Sequence, residues 1–293
     1  MNAYIFPNLS KTNCKEYTVE ACEILRECGV SLHMESCYKN EFPLDYVSFA
    51  EEEKCICDCD IIIAIGGDGT ILQCSVKASR FGKPILGINC GRLGFMASLE
   101  ASQLGLLRKL AEQDYTISRR MMLDITVKNP GCSDMSFSAL NDAVVARSDD
   151  CKIADFEVSK NGQLISSLRA DGVIFSTATG ATAYSMSAGG PIIEPEMECI
   201  EFTQICAHSL FARSMILSAS SRVEVKCHTS NSAHVLLNVD GNIVYRLTDG
   251  DTVEVVKSKR YVDIIDIIGG SFFSSVNSKL MRPLKDISED FVK

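Results

Sequence analysis

Five residues, Gly66-Gly67-Asp68-Gly69-Thr70, place phosphate-binding and proton-accepting groups in one short stretch. They follow the apolar run Ile61-Ile62-Ile63-Ala64-Ile65. Positions without side chains let backbone N–H groups close on a phosphate, and glycine admits positive φ. A helix opening there adds partial positive charge, with Thr70 placed to cap it. Asp68 is the odd member, because a carboxylate repels a phosphate. Two chemistries account for it. It can accept a proton from a hydroxyl that attacks a phosphoryl group, or help hold Mg²⁺ against donor phosphates. A bare Asp-Gly pair would read as a turn. Three glycines between a buried strand and a helix favour the chemical reading. Neither G-x-G-x-x-G nor G-x-x-x-x-G-K-[ST] is present at this strand end.

Three further stretches carry similar chemistry. Residues 87–95, GINCGRLGF, set Asn89 at a strand end, Gly91 and Gly94 for backbone access, and Phe95 as an apolar face. Asn141 and Asp142 interrupt the apolar run ALNDAVVAR. Burying an amide beside a carboxylate is costly without partners. The pair either binds ligand hydroxyls or satisfies itself at a bend. Residues 169–193, RADGVIFSTATGATAYSMSAGGPII, are the densest mixture of hydroxyls and glycines, suited to a base or ribose lying on backbone. Within them Tyr184 can stack on or bond to a ring, and Asp171 can bond a ribose or an amide. His33, His228 and His234 stand alone, and His208 reads as structural.

The elements that position these groups fall into two patterns. The first third alternates strand and helix. AYIFPN is a strand, and TNCKEYTVEACEILRECG is a helix stopped at Gly29. Residues 60–65 form a strand without alternation, as when both faces are buried in a parallel sheet. TILQCSVKASRFG is a helix, PILGIN a strand, and SQLGLLRKLAEQD another helix. This order predicts a Rossmann-like α/β domain. Beyond residue 117 short β-rich segments alternate with Gly, Asn and Asp, and KNGQ and VDGN read as tight hairpin turns. That pattern predicts an all-β, sandwich-like domain. SFFSSVNSKLMRPLKDI, near the end, lacks strand alternation and reads as a helix returning to the first domain. The expected division is residues 1–117 with 269–293, and 118–268.

Composition narrows the partners. The 293 residues carry a net charge of −9, which argues against a broad nucleic-acid surface. An anionic ligand must then be held by local backbone dipoles and a few cations. No apolar run approaches the roughly 20 residues that span a bilayer, and the N-terminal segment has no signal-peptide pattern. These features predict a cytoplasmic protein without a membrane partner. The 14 cysteines read as free thiols in a reducing compartment. Cys55, Cys57 and Cys59 alternate at every second residue, which is not zinc spacing, so they read as small hydrophobes.

Taken together and in this order, the four stretches and a late Asp-Gly at residues 240–241 resemble the NAD kinase family. The shared features are GGDGT, G-x-N-x-G-x-x-G-F, an Asn-acid pair, and D-G-x-x-x-x-T-x-T-G-x-T-A-Y-x-x-S-A-G-G-P. IFPN near the start and SKL near the end are fainter matches. The resemblance implies an N-terminal α/β domain, a C-terminal all-β domain and a ligand cleft between them. It implies ATP- and Mg²⁺-dependent transfer of a γ-phosphoryl group to the 2′-hydroxyl of the adenosine ribose of NAD, giving NADP, by a homodimer or homotetramer. Asp68 matches the family's proton acceptor. Gly66, Gly67 and Thr70 complete its loop, and Asn89 and Phe95 fall in the second motif. Gly69, Asn141, Asp142, Asp171 and the run Thr182, Ala183, Tyr184, Ser185, Met186, Ser187 match NAD contacts. Arg169 stands where the family has a basic residue, Lys152 matches a further position, and Asp240 with Asn242 matches the late Asp-Gly segment. Ala178, Ala181 and Ala207 depart from the family's Pro, Ser and Pro. Two competing readings share the loop or the ligand: a diacylglycerol- or sphingosine-type lipid kinase, and a non-catalytic NAD(P) sensor. In the lipid kinases an Asn-Glu pair follows the loop closely, whereas here Ile71-Leu72-Gln73-Cys74 follows it.

Overall fold

The computed structural model describes residues 1–91, 94–131, 133–148, 153–209, 211–228, 234–269 and 272–280. The chain divides into two compact units. Unit 1 holds Met1–Cys74, Lys83–Ser118 and the residues from Ile264 on, and unit 2 holds Ser75–Gly82 and Arg119–Asp263.

In unit 1, β1 (Asn2–Pro7), α1 (Cys14–Glu27), β2 (Ser31–Glu35), β3 (Val47–Ala50), α2 (Glu52–Asp58), β4 (Ile61–Gly66), the start of α3 (Asp68–Phe81) and β5 (Ile85–Asn89) succeed one another. The short β6 (Leu99–Glu100) follows. The strands lie parallel in the order β5-β4-β1-β2-β3, with β6 beside β5. Helices must cover such a sheet, and α1 shows why it does so. Cys14, Thr18, Ala21, Cys22 and Leu25 are its buried residues, spaced to share one face. It ends at Gly29, whose φ of 77° allows Val30 N–H to reach back to Leu25 O at 3.0 Å. All six residues of β4 are buried, as the missing alternation predicts. Cys55 and Cys59 are buried, as small hydrophobes would be, whereas Cys57 is exposed, so that reading fails for Cys57.

The predicted helix over SQLGLLRKLAEQD is broken. A 3₁₀ segment, Ala101–Leu107, precedes a single α turn, α4 (Arg108–Ala111). Gly105 inside that segment weakens the α conformation.

Unit 2 holds most of β7 (Thr116–Lys128), then β8 (Met135–Ala139), β9 (Asp142–Arg147), β10 (Ala154–Lys160), β11 (Gln163–Ala170), β12 (Gly172–Ser176), the short helix α5 (Tyr184–Ser187), β13 (Cys199–Ile205), β14 (Met215–Ser218), β15 (Val223–His228), β16 (Val235–Val239), β17 (Asn242–Leu247) and most of β18 (Thr252–Asp266). One sheet runs β14-β13-β12-β9-β16-β17. A second contains β11-β10-β15-β18, with β7 pairing β18 and β8. Alternate residues of both sheets, among them Ile125, Val145, Phe156, Phe175, Phe202, Val225, Leu237 and Val255, form one buried core. Both predicted hairpin turns form. Asn161 and Gly162 link β10 to β11, Asp240 and Gly241 link β16 to β17, and all four have positive φ. Ile264, near the end of β18, pairs in parallel with Ile85 in unit 1, and α6 (Phe272–Leu280) follows.

Candidate functional site

In unit 1 the glycine stretch is shorter as a loop than its composition suggests. Strand β4 extends through Gly66 and α3 opens at Asp68, which leaves Gly67 alone between them. Asp68 therefore sits at a helix N-terminus, where negative charge is favoured. None of Gly66, Gly67 and Gly69 has positive φ, so of the two expected reasons for these glycines the conformational one fails. For Gly66 the reason is close approach: a Cβ there would strike the Thr70 hydroxyl and lie 2.9 Å from Asn8 Cβ. Gly67 and Gly69 face open or nearly open space, which leaves their backbone reachable. Thr70 lies inside the first turn of α3 and is buried, so it does not cap the helix. Its hydroxyl instead accepts a hydrogen bond from Asn8 Nδ2 at 3.1 Å.

The Asp68 carboxylate is seated on the second motif. Oδ2 accepts from Phe95 N–H at 2.6 Å, and Oδ1 accepts from the N–H groups of Met96 and Ala97, both at 3.1 Å. Gly94 makes room for it, since any Cβ at that position would overlap the carboxylate. A carboxylate oxygen offers two lone-pair directions. Among the described residues Oδ1 uses both, and Oδ2 retains one. Asn89, level with Gly66 across β4 and β5, is buried; its Oδ1 accepts from Gly91 N–H at 3.0 Å, and its buried Nδ2 has no partner among the described residues.

In unit 2 a second carboxylate repeats this arrangement. Asp240 Oδ2 accepts from Leu140 N–H at 2.9 Å, and Oδ1 accepts from Asn141 N–H at 2.8 Å and Asp142 N–H at 3.1 Å. The Asn-Asp pair is thus satisfied at a bend through its backbone, while Asn141 Oδ1 stays buried and without a partner among the described residues. Asp142 is buried, and desolvation with the nearby Asp240 charge pushes its carboxyl up to about 7. Desolvation also raises Asp240, against the pull of its three N–H partners. The Thr177–Gly180 turn packs on the same bend. Thr177 Oγ1 donates to Leu140 O at 2.6 Å and accepts from Gly180 N–H at 3.1 Å, and a Cβ at Gly180 would meet the Asn141 backbone.

The remaining predicted residues divide between outward and inward positions. Tyr184 and Ser187 are exposed, and Thr182, Ala183 and Met186 are half-buried. Thr182 Oγ1 donates to Thr179 O at 3.2 Å. Ser185 is fully buried, so it faces away from any ligand of that turn. Asp171 accepts from Arg147 Nε at 2.7 Å. Arg169 is exposed and forms a two-bond pair with Asp155 at 2.8 and 3.1 Å, which holds the Asp155 carboxyl below its ordinary range. Asn242 is exposed and its amide donates to Asp240 O at 3.3 Å. Lys152 lies outside the described residues. Ala178 and Ala181 are buried together with Ile193 and Cys199, so these two departures from the family pattern sit in a small apolar cluster.

Comparison with known proteins assigns both parts of the chain. Residues 4–115 match the model of the ATP-NAD kinase N-terminal domain, and residues 140–267 that of the ATP-NAD kinase C-terminal domain. The chain belongs to the NAD kinase family. An NAD kinase of Thermoanaerobacter sp. is 34% identical over 281 residues, covering 94% of this chain and 97% of its own length. The NAD kinase of Natranaerobius thermophilus is 35% identical over 278 residues, covering 94% and 96%. Among solved structures, yeast NADH kinase complexed with NADH aligns with a TM-score of 0.84 at 25% identity, over 97% of this chain and 88% of its own. The Archaeoglobus fulgidus NAD kinase in complex with ATP aligns with a TM-score of 0.70 at 22% identity and shares the fold. Membership of the NAD kinase family sets aside the lipid-kinase reading.

Residue types alone do not mark everything in these sites. Asn8, Gly94 and Thr177 fall within the quoted motifs, but what each touches (Thr70, the Asp68 carboxylate and Leu140 O) does not follow from residue type. The donors to Asp68 are backbone N–H groups 27 to 29 positions away, so no side chain announces them.

Proposed function

We propose that this protein is an NAD kinase in which Asp68 is the proton acceptor and unit 2 supplies the nucleotide contacts. It transfers the γ-phosphoryl group of ATP to the 2′-hydroxyl of the adenosine ribose of NAD. The bond from the ribose oxygen to phosphorus forms, the bond from phosphorus to ADP breaks, and the hydroxyl proton passes to the carboxylate. The observation that carries this reading is the free lone pair on Asp68 Oδ2, held by three backbone N–H groups at the opening of α3. Phosphoryl transfer needs positioning and charge neutralisation more than covalent help. The accessible backbone at Gly67 and Gly69 and the α3 N-terminus suit the donor phosphates. Asn141, Asp171, Tyr184 and Asp240 lie on unit 2, and among the described residues Asn141 Oδ1 lacks a partner that a ligand donor would supply.

Mg²⁺ fits this reading as part of the ATP substrate. Among the described residues no group of three or more His, Cys, Asp or Glu side chains could hold an ion unaided. Mg²⁺ commonly binds through one or two carboxylates plus substrate phosphates. A cytoplasmic homodimer or homotetramer belongs to the same proposal. Among the described residues no helix is long and apolar enough to cross a membrane.

The test is NADP formation from NAD, ATP and Mg²⁺, read through a strictly NADP-dependent dehydrogenase. Wild-type protein should give a signal, and Asp68→Asn should reduce turnover by about 10²- to 10⁴-fold while NAD still binds. A folded wild type that binds NAD without turning it over would establish the sensor reading instead.

A further inference from the structure

The outer face of the six-stranded sheet in unit 2 carries a buried carboxyl group outside the family motifs. Alternation along β13 sends Ile200 and Phe202 into the core, where Phe202 stacks on Phe175 with ring centroids 5.4 Å apart. Glu201, Thr203 and Ile205 therefore point to the opposite face. On that face Ala188, just beyond α5, packs with Val144, Ile174 and Ile205. Glu201 has 0% exposure, although nothing about an apolar sheet face calls for an acid.

The group is tied to α5 by hydroxyls. Ser185 Oγ donates to Thr203 Oγ1 at 3.0 Å, and Thr203 Oγ1 donates to Glu201 Oε1 at 2.9 Å. Thr203 also lies 2.8 Å from the Ser214 hydroxyl. Burial raises the Glu201 carboxyl above its usual range, against the pull of the hydroxyl hydrogen bonding on it. Gly190 closes over the pair. Its N–H donates to Ser185 O at 2.9 Å, and a Cβ there would overlap both Glu201 Oε1 and Ser185 Oγ. Glu201 Oε2 is buried with no partner among the described residues. Burying a carboxyl this way costs stability, so packing alone does not explain it. The network does fix the rotation of α5. With Ser185 locked inward, Tyr184 and Ser187 must face outward.

We propose that Glu201 is a positioning residue for NAD binding, acting through Thr203 and Ser185 to set the phase of the Tyr184–Ser187 turn. The inference rests on the assignment of that turn to NAD. The experiment is calorimetric titration of NAD into the full-length protein, with KM measured separately for NAD and ATP. Glu201→Ala should weaken NAD binding and raise its KM by about tenfold or more, and leave the KM for ATP within about twofold. Glu201→Gln, whose Oε1 still accepts, should recover wild-type affinity to within about threefold. Unchanged NAD affinity in Glu201→Ala would overturn the proposal. So would Gln behaving like Ala, or a rise in both KM values together with a lower melting temperature. If Glu201→Ala does not fold, Ser185→Ala removes the other end of the chain without a buried acid. Weak NAD binding there supports the proposal, and wild-type binding overturns it. A wild type that binds NAD but forms no NADP removes the kinase reading and leaves this test intact.

Discussion

Asp68 and Asp240 are held in the same way and placed in different surroundings. Each takes three consecutive backbone N–H groups, the first on Oδ2 and the next two on Oδ1. Asp68 opens helix α3 beside backbone that a phosphate can reach. Asp240 occupies a hairpin turn at φ 48°, next to a second buried carboxyl, Asp142. The backbone cradle fixes where a carboxylate stands. Its neighbours differ: Asp68 stands at a helix N-terminus, while Asp240 stands in a desolvated turn where burial raises its carboxyl.

The sharpest way to break the comparison is to make the same substitution in both cradles. Asp68→Asn should lower kcat by about 10²- to 10⁴-fold, the range of general acid–base catalysis. Asp240→Asn should act mainly through stability and the KM for NAD. In either variant the new amide NH₂ meets a backbone N–H, that of Phe95 or Leu140 if it replaces Oδ2. Each should therefore also lose about 1–3 kcal/mol of stability, measured by urea denaturation. Equal losses of kcat in the two variants would show that position alone, not surroundings, sets the role.

The second prediction uses pH. Burial and the Asp240 charge push the Asp142 carboxyl up to about 7 in the folded protein, well above the ordinary aspartate value of about 4. The folded state therefore holds a proton that the unfolded chain has released, and stability falls as pH rises from about 4 to about 7. Above that window the full cost is in place. Asp142→Asn removes it, so the variant should gain on wild type by about 2 kcal/mol between pH 5 and pH 8. Denaturation at those two pH values checks this. A difference independent of pH would mean that Asp142 is not raised by Asp240 and burial.

Much of this was legible in the residue pattern and some was not. The α/β and all-β halves follow from periodicity, and the two hairpins from Asn-Gly and Asp-Gly, because those signals are local. The reason for Gly66 was not legible. It depends on Asn8 and Thr70 lying against it, which only the β1–β4 pairing brings about. Ser185 reads as one more hydroxyl in a polar run until the sheet face beneath it is known. Glu201 sits among apolar residues with no motif around it, and its meaning comes wholly from Thr203 and Ser185. Both cradles use backbone donors, which leave no trace in side-chain composition.

Glycine substitutions test how much room each cradle has. Gly94→Ala places a methyl group against the Asp68 carboxylate, and Gly180→Ala places one 2.6 Å from the Asn141 carbonyl carbon. Overpacking of this kind costs about 1–3 kcal/mol. Gly94→Ala should also depress kcat, because the obstructed group is the proton acceptor. Gly180→Ala should depress NAD affinity more than kcat. Loss of stability without this split would reduce both glycines to packing positions.

The smallest expected effect tests whether the α3 opening is held from β1 as well as from its own cradle. Asn8 follows β1, and its N–H bonds Ile65 O at 2.8 Å while its side-chain amide donates to Thr70 Oγ1. Thr70 is 1% exposed, so water cannot easily replace a lost partner. Thr70→Val keeps the side-chain shape and removes the hydroxyl, leaving Asn8 Nδ2 without its acceptor, which should cost about 1 kcal/mol in urea denaturation. If the hydrogen bond also fixes Asp68, two residues earlier, kcat should fall modestly with little change in NAD affinity. If only stability moves, the three N–H groups of residues 95–97 hold Asp68 without help, and the two cradles are alike in being self-sufficient.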